Sequence, residues 1–485
     1  MKKRILIIGA GPSGLAAAAN ILEMAANEVE VTIVHMGHHV GGKAASYVNA
    51  AGEHIEHGWH MVLGFYTRMR GLLARAGISF DRAFSSMRGQ SHVYETWSKR
   101  LHTIDASGSK VAFAARFSQY DGLPFGDRAN YSRVMADAFL FATSGANLLE
   151  HDDICFDAWA QERGLREHVT RYAIFRVLRE GYFNFPERIS AYHALQTMRL
   201  MSDTQKAEAF VCRGEWSETV WKPVAAYVER LGAKIIPYTM VTDFIYEGRR
   251  ITGLRVSRPD PEGHHHGASS WPKGGIPREA NSDHALSTFD SVISTIPVGV
   301  LCTLNQTDQA WWQSPFFARI KNLRSATTLA MRIITKEPVR QLMGPVFGMR
   351  APLGIATDMT GHLTEKHGPG SVIDFCGQEA GFESWSDDAI VDFTLENYAR
   401  TLGMKPIARA DLSWLEFHRN ASNHEQLLLC EPGVNVFRPG AKTPFHNLFF
   451  AGDWTRNDVD VVCMEGAIAS ADSASRAALA YLSQI

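Results

Sequence analysis

An α/β fold built on a parallel sheet is what this chain predicts, on three observations. Ile5, Leu6, Ile7 and Ile8 form an unbroken apolar run, the pattern of a strand covered on both faces. Gly9, Gly11 and Gly14 follow as G-x-G-x-x-G, with Pro12 and Ser13 inside the turn, and a small-residue helix opens at Leu15. Val29 to Val34 then reads as a second strand, which completes a β-α-β unit. In such a unit one glycine permits the sharp turn, one admits a pyrophosphate close to the backbone, and one lets helix and strand pack together. The free amides of the helix N-terminus point at the phosphates. A dinucleotide ligand follows, and NAD and FAD both satisfy it.

The totals bound the rest. At 485 residues the chain exceeds one ordinary core, so two or three structural units are expected. Apolar residues make up 45% and charged residues 21%, the profile of a globular protein. A formal charge of -2 argues against a nucleic-acid partner. The six cysteines are scattered without C-x-x-C or metal-ligand spacing; they read as reduced thiols of a cytosolic protein, and no metal site is expected. Lys2 to Arg4 ahead of the apolar run imitates a signal peptide, but the run stops at Gly9. No stretch reaches the apolar length of a transmembrane helix, and peripheral membrane contact stays open.

Taken in order, the chain departs from the dinucleotide pattern at the end of the second strand. An acidic residue ordinarily stands there to bind the ribose hydroxyls; this chain has His35. An imidazole hydrogen-bonds one hydroxyl but not both, so a weaker hold on the adenosine is expected. Gly41, Gly42 and Lys43 form a second glycine turn, followed by the run Glu56-His-Gly58-Trp59-His60-Met-Val-Leu-Gly64-Phe-Tyr66. Arg68, Arg70 and Arg75 lie on a basic helix, read as a solvated face in preference to a lipid-binding one. Residues 128–210 carry helical spacing, as in Tyr131 to Ala142 and Val169 to Leu178, interrupted by Phe183 to Ser190. A helix from Glu215, strands near Thr239 to Tyr246 and Ile251 to Val256, and a buried strand at Phe289 to Pro297 come next. Between the last two lies a proline- and glycine-rich loop holding His264, His265 and His266, read as solvated and not as a metal site. Strands are predicted at Thr327 to Thr335 and Ser371 to Phe375, and helices at Asp387 to Leu402 and Ala467 to Leu482.

The Gly41-Gly42-Lys43 turn, the Glu56–Tyr66 run and the stretch Arg438-Pro to Ala-Gly452-Asp453-Trp-Thr455 resemble the flavoprotein superfamily of amine oxidases and carotenoid desaturases. Glu56, Gly58, His60, Gly64 and Tyr66 have the spacing of the plant- and cyanobacterial-type phytoene and zeta-carotene desaturases; hydroxysqualene-processing flavoenzymes share much of it. The resemblance implies a Rossmann-like FAD-binding domain of glutathione-reductase type, interleaved with an α+β substrate domain. FAD-domain pieces are expected at 1–90, 211–300 and 433–485, and substrate-domain pieces at 91–210 and 301–432. It places Gly9, Gly11, Pro12, Ser13, Gly14, His35, Gly41, Gly42, Lys43, Gly58, Trp59, His60, Val241, Gly452, Asp453, Glu465, Gly466 and Ala467 at the cofactor. The implied activity is desaturation of a lipophilic, isoprenoid substrate with quinone or oxygen as electron acceptor. His60 is the candidate for assisting proton loss, and Arg332 a further catalytic candidate from the substrate domain. The lysine that amine oxidases of this superfamily set beside the flavin has no counterpart here: Ala330, Met331 and Arg332 stand in that region. A flavin oxidase of an amine or another natural product, and a binding protein with impaired FAD affinity, are the alternative readings.

Overall fold

The computed structural model describes residues 2–37, 39–48, 54–56, 58–87, 90–95, 99–105, 124–166, 181, 183–185, 187–202, 204–257, 284–365 and 368–485. The histidine triplet at 264–266 and the helical stretch 169–178 lie outside them.

Strand β1 (Lys3–Ile8), helix α1 (Pro12–Ala25) and strand β2 (Val29–Val34) form the first unit. Ile5 to Ile8 are all buried, as a strand covered on both faces requires. Then come strand β3 (His54–Glu56), helix α2 (Thr67–Arg75), and the hairpin of β4 (Gln90–Glu95) with β5 (Arg100–Asp105). Helices α3 (Phe125–Thr143) and α4 (Ala191–Leu200) follow, with β6 (Lys234–Ile236) and β7 (Ser291–Ser294) beyond them. Strands β8 (Thr328–Thr335), β9 (Val346–Phe347), β10 (Ile355–Asp358) and β11 (Val372–Gln378) precede helix α5 (Asp387–Leu402) and strand β12 (Leu412–Asn420). The chain closes with β13 (Leu448–Phe450) and helix α6 (Met464–Leu482).

These strands build two large sheets. A five-stranded sheet runs β6-β2-β1-β7-β13, every pair parallel. A seven-stranded sheet runs β12-β8-β11-β10-β9-β4-β5. Their strands alternate along the sequence, so both sheets are interleaved in one chain. A separate antiparallel ribbon of Met240–Glu247, Arg250–Ser257 and His284–Leu286 carries Val241.

The first turn is tight because glycines leave room for backbone. Gly9 sits at φ 107°, which disfavours any side chain, and a Cβ on Gly14 would lie 1.9 Å from the Gly9 carbonyl oxygen. The C-terminal helix packs on α1 through small residues: Ala16 to Ala19, Ala471, Ala474 and Ala478 are all fully or nearly fully buried. That proximity lets Ser13 Oγ donate to the Ala467 carbonyl at 2.6 Å and Asn20 Nδ2 donate to Asp472 at 2.7 Å. The two ends of the chain are thus one packed unit.

The basic helix is not a free cationic face. Arg68 pairs with Asp458 and Asp472, Arg75 pairs with Glu23 at 3.3 Å, and the Arg70 guanidinium lies 3.5 Å over the Phe80 ring. All six cysteines are described and no disulfide joins them. Among the described residues no helix is long and apolar enough to cross a membrane.

Candidate active site

A cavity of about 520 Å³ opens where the two sheets meet. Its floor is the turn after β1, with Gly9, Gly11, Pro12 and Ser13, and the second glycine turn contributes Gly42 and Lys43. These turns touch through bare backbone: a Cβ on Gly42 would lie 3.1 Å from Gly11 Cα. Gly41 supports the turn from behind, because a Cβ there would lie 2.4 Å from the Trp221 ring, whose Nε1 donates to the Ala44 carbonyl at 2.7 Å. Gly14 holds the turn by its close approach to Gly9. Neither Gly14 nor Gly41 lines the cavity itself.

His35 lines the cavity at the end of β2 and is 8% exposed. Its amide donates to the Ile236 carbonyl at 3.1 Å, and its carbonyl accepts from Thr239 N at 2.8 Å, so the backbone at this departure point is held on both sides. Val241 lines the same end. On the opposite side Gly452, Asp453 and Ala467 reach the wall, together with Met464 at the start of α6. The loop carrying Gly452 and Asp453 is held by buried Arg438, which donates to the carbonyls of Asp453, Trp454 and Thr455 and pairs with Asp460 at 2.7 Å. Arg438 opens the C-terminal motif, but its role as a loop clamp depends on carbonyls that no spacing reveals.

Glu465 and Gly466 also lie off the cavity wall. Glu465 is 1% exposed and does not line the cavity. Its carboxylate accepts the amides of Arg68 at 2.8 Å and Met69 at 2.9 Å, the orphan donors of α2, which has no side-chain cap of its own. Burial raises its pKa, and these amide bonds oppose the rise. Gly466 is needed for packing, since a Cβ there would lie 2.2 Å from the Val461 carbonyl oxygen. The N-cap of α6 is Cys463, whose Sγ accepts the Gly466 amide at 3.4 Å and which lines the cavity. No sequence signal singled it out.

Gly58, Trp59 and His60 line the face toward the seven-stranded sheet. The His60 ring meets Trp216 edge-on at 5.8 Å. Burial pushes its pKa down to about 4, against the backbone carbonyls of Gly58 and Lys43 and the charge of Asp374, which act the other way. His60 is therefore a neutral imidazole near pH 7, and a proton placed on it is costly.

The sheet presents three rows of side chains to this turn, set by strand register. Thr328, Ala330 and Arg332 alternate along one face of β8. Opposite them stand Gln378, Cys376 and Asp374 on β11 and Asn420, His418 and Glu416 on β12. Thr328, Ala330, Cys376 and Asn420 reach the cavity. Ala330 is 3% exposed and lies across from Gly58, where a Cβ on the glycine would be 3.8 Å from its methyl. Arg332 does not line the cavity but sits one row behind, gripped by Asp374. A strand places 330 and 332 on one face but in successive rows, and only the first row meets the turn.

The fold and this geometry have known counterparts. The model of the flavin containing amine oxidoreductase family matches residues 12–479. The chain belongs to that family. The zeta-carotene desaturase of Synechocystis sp. is 25% identical over 504 residues, covering 98% of this chain and 97% of that one. The 15-cis-phytoene desaturase of Synechococcus elongatus is 22% identical over 488 residues, covering 98% and 96%. Among solved structures, a putrescine oxidase mutant with redesigned cofactor binding superposes with a TM-score of 0.73 at 14% identity, over 100% of both chains. Cyclohexylamine oxidase from Brevibacterium oxydans matches with a TM-score of 0.70 at 14% identity, over 99% of both.

As a member of the flavin containing amine oxidoreductases the protein is an FAD-dependent oxidoreductase. The residues present fit that cofactor. The first turn of α1 has no side-chain cap, which leaves its amides for a pyrophosphate, and the Gly11–Gly42 cradle is one that a single Cβ would fill.

Proposed function

We propose that this oxidoreductase is a desaturase that removes a hydride and a proton from neighbouring carbons of a lipophilic, isoprenoid substrate. The observation that carries the reading is Ala330. The wall across from Gly58 offers a methyl group in the region where the resemblance to the amine oxidases would set a lysine beside the flavin. Met61, Leu63, Met87, Met201 and Phe347 extend the apolar surface, which suits a hydrocarbon. The desaturase relatives align along nearly their whole length, which supports the same reading.

Bound FAD supplies the hydride acceptor. The chain supplies placement and electrostatics. The glycine turns and the α1 amides would hold the phosphates. The positive end of α6, at Met464 and Ala467, favours negative charge on a ring bound there. His60 lines the cavity as a neutral ring; as the candidate for assisting proton loss it takes the proton from the carbon and passes it on to solvent, because burial makes the charged ring costly to keep. Quinone or oxygen would take the electrons away. Exposed Phe125 and Leu140 on α3 are suited to a shallow lipid contact through which such a substrate enters.

Anaerobic mixing of the holoprotein with phytoene or zeta-carotene in detergent, and separately with primary amines, tests the reading. Bleaching of the flavin band by the polyenes alone is expected. Bleaching by amines alone would overturn it in favour of an amine oxidase, and failure of the purified protein to hold FAD would overturn every enzyme reading.

A further inference from the structure

Behind the cofactor-facing turn the protein buries more carboxylate than cation. The Arg332 side chain is 10% exposed, and those of its partners Asp374 and Glu56 are 4% and 9% exposed. Asp374 holds the guanidinium at two points, accepting from Nε at 2.6 Å and from Nη2 at 2.8 Å. Glu56, at the end of β3, reaches the same Nη2 only at 3.4 Å, and its other oxygen accepts the Trp216 amide at 3.4 Å. Glu416 stands opposite Arg332 on β12 and is paired with His418. Glu215 contributes another negative group beside Glu56, and its Oε2 is buried with no hydrogen-bond partner. Cys212, a further titratable neighbour of Glu56, is a thiol whose pKa burial pushes up to about 12, and His60 feels the charge of Asp374.

One arginine already met by a two-point carboxylate does not neutralise a second one in a buried site. Carboxylates crowded in this way do not all ionise; one of them keeps a proton. Glu56 has the weakest grip on the guanidinium. Burial raises its pKa most, Arg332 opposes the rise, and Glu215 and Asp374 add to it. Glu56 also occupies a corner that matters for the site. It precedes Gly58 and His60 by two and four positions, it bonds the amide of the tryptophan that packs on the His60 ring, and it touches the strand that carries Ala330.

We propose that Glu56 bears a proton in the folded holoenzyme and acts as a positioning residue. As a neutral acid it ties the cofactor-facing turn to Trp216 and Arg332 without adding a second negative charge behind the flavin site. Arg332 and Asp374 then remain a balanced pair, and the electrostatics of the turn depend on the proton as well as on the shape of the side chain.

Infrared spectra of the holoenzyme, wild type against Glu56→Gln, test this between about pH 6 and about pH 8, where an ordinary glutamate is ionised. The expected result is a protonated-carboxyl stretch in the wild type that Glu56→Gln removes, with the midpoint potential of the bound FAD unchanged because no charge is lost. Persistence of the band in Glu56→Gln, or a shifted potential, would show an ionised Glu56 and overturn the proposal. Asp374→Asn gives an independent arm should Glu56→Gln fail to fold. It leaves Glu56 as the partner of Arg332, so Glu56 should ionise and the same band should vanish; a band that survives there also overturns the assignment.

Discussion

The five-stranded parallel sheet meets the cavity with backbone, and the seven-stranded sheet meets it with side chains. On the first, a Cβ on Gly9 would lie 2.4 Å from Thr295 Oγ1 and one on Gly42 would lie 3.1 Å from Gly11 Cα. On the second, Ala330 and the Arg332 row behind it differ only by two positions along one strand, yet one faces the cavity and the other is locked in an ion pair. Backbone contact with a phosphate demands a particular residue type, so it leaves a motif. A side-chain wall demands only a shape and a charge, which many residue combinations supply.

The contrast is sharpened most by Arg332→Met. Removing the cation leaves Asp374 buried without its partner, a change that costs about 3–5 kcal/mol, read as a lowered midpoint in urea unfolding of the holoprotein. A loss below about 1 kcal/mol would make the charged row an ordinary polar surface. Next in size is Gly14→Ala, whose Cβ would press on the Gly9 carbonyl at 1.9 Å. Overpacking of this kind costs about 1–3 kcal/mol and should lower the flavin-to-protein ratio after purification. Gly126→Ala, in open space on α3, is the control that should retain full flavin. Glu465→Ala removes the external cap of α2 and should cost about 0.5–2 kcal/mol while the FAD content holds; a loss of FAD would restore Glu465 to the cofactor.

A further effect concerns pH. The folded pKa of His60 is lowered to about 4 from 6.5, so between these values the unfolded chain binds the proton and the folded one does not. Stability is then full above pH 6.5 and falls as the pH drops toward 4. His60→Gln should make this acid limb shallower in thermal melts at a series of pH values. An unchanged limb would assign it to other buried histidines such as His193, whose pKa burial lowers to about 3.

Much of the parallel sheet is legible in the chain itself. Ile5 to Ile8, the glycines after them and the small-residue faces of α1 and α6 each follow from a local steric rule. The helix expected at Asp387–Leu402 has those bounds, because Ser386 caps its start and Gly403 ends it in the left-handed region. Glu465 follows the cofactor-binding loop by sequence, but the amides it satisfies belong to a helix nearly 400 residues earlier. The row that Arg332 occupies was not legible either, because periodicity gives the face of a strand and not the row.

By itself the sequence determined the dinucleotide turn, its paired glycines and the joining of both chain ends, since each rests on contacts between near neighbours or on small residues that only close packing explains. Tertiary structure alone decided which side chains form the wall opposite the cofactor turn. It also decided that Arg438 clamps the Gly452 loop, and that one arginine faces more carboxylates than it can neutralise. Those properties arise from strand register and burial between segments far apart in the chain, and burial is what turns a scattered set of acids into a single electrostatic unit.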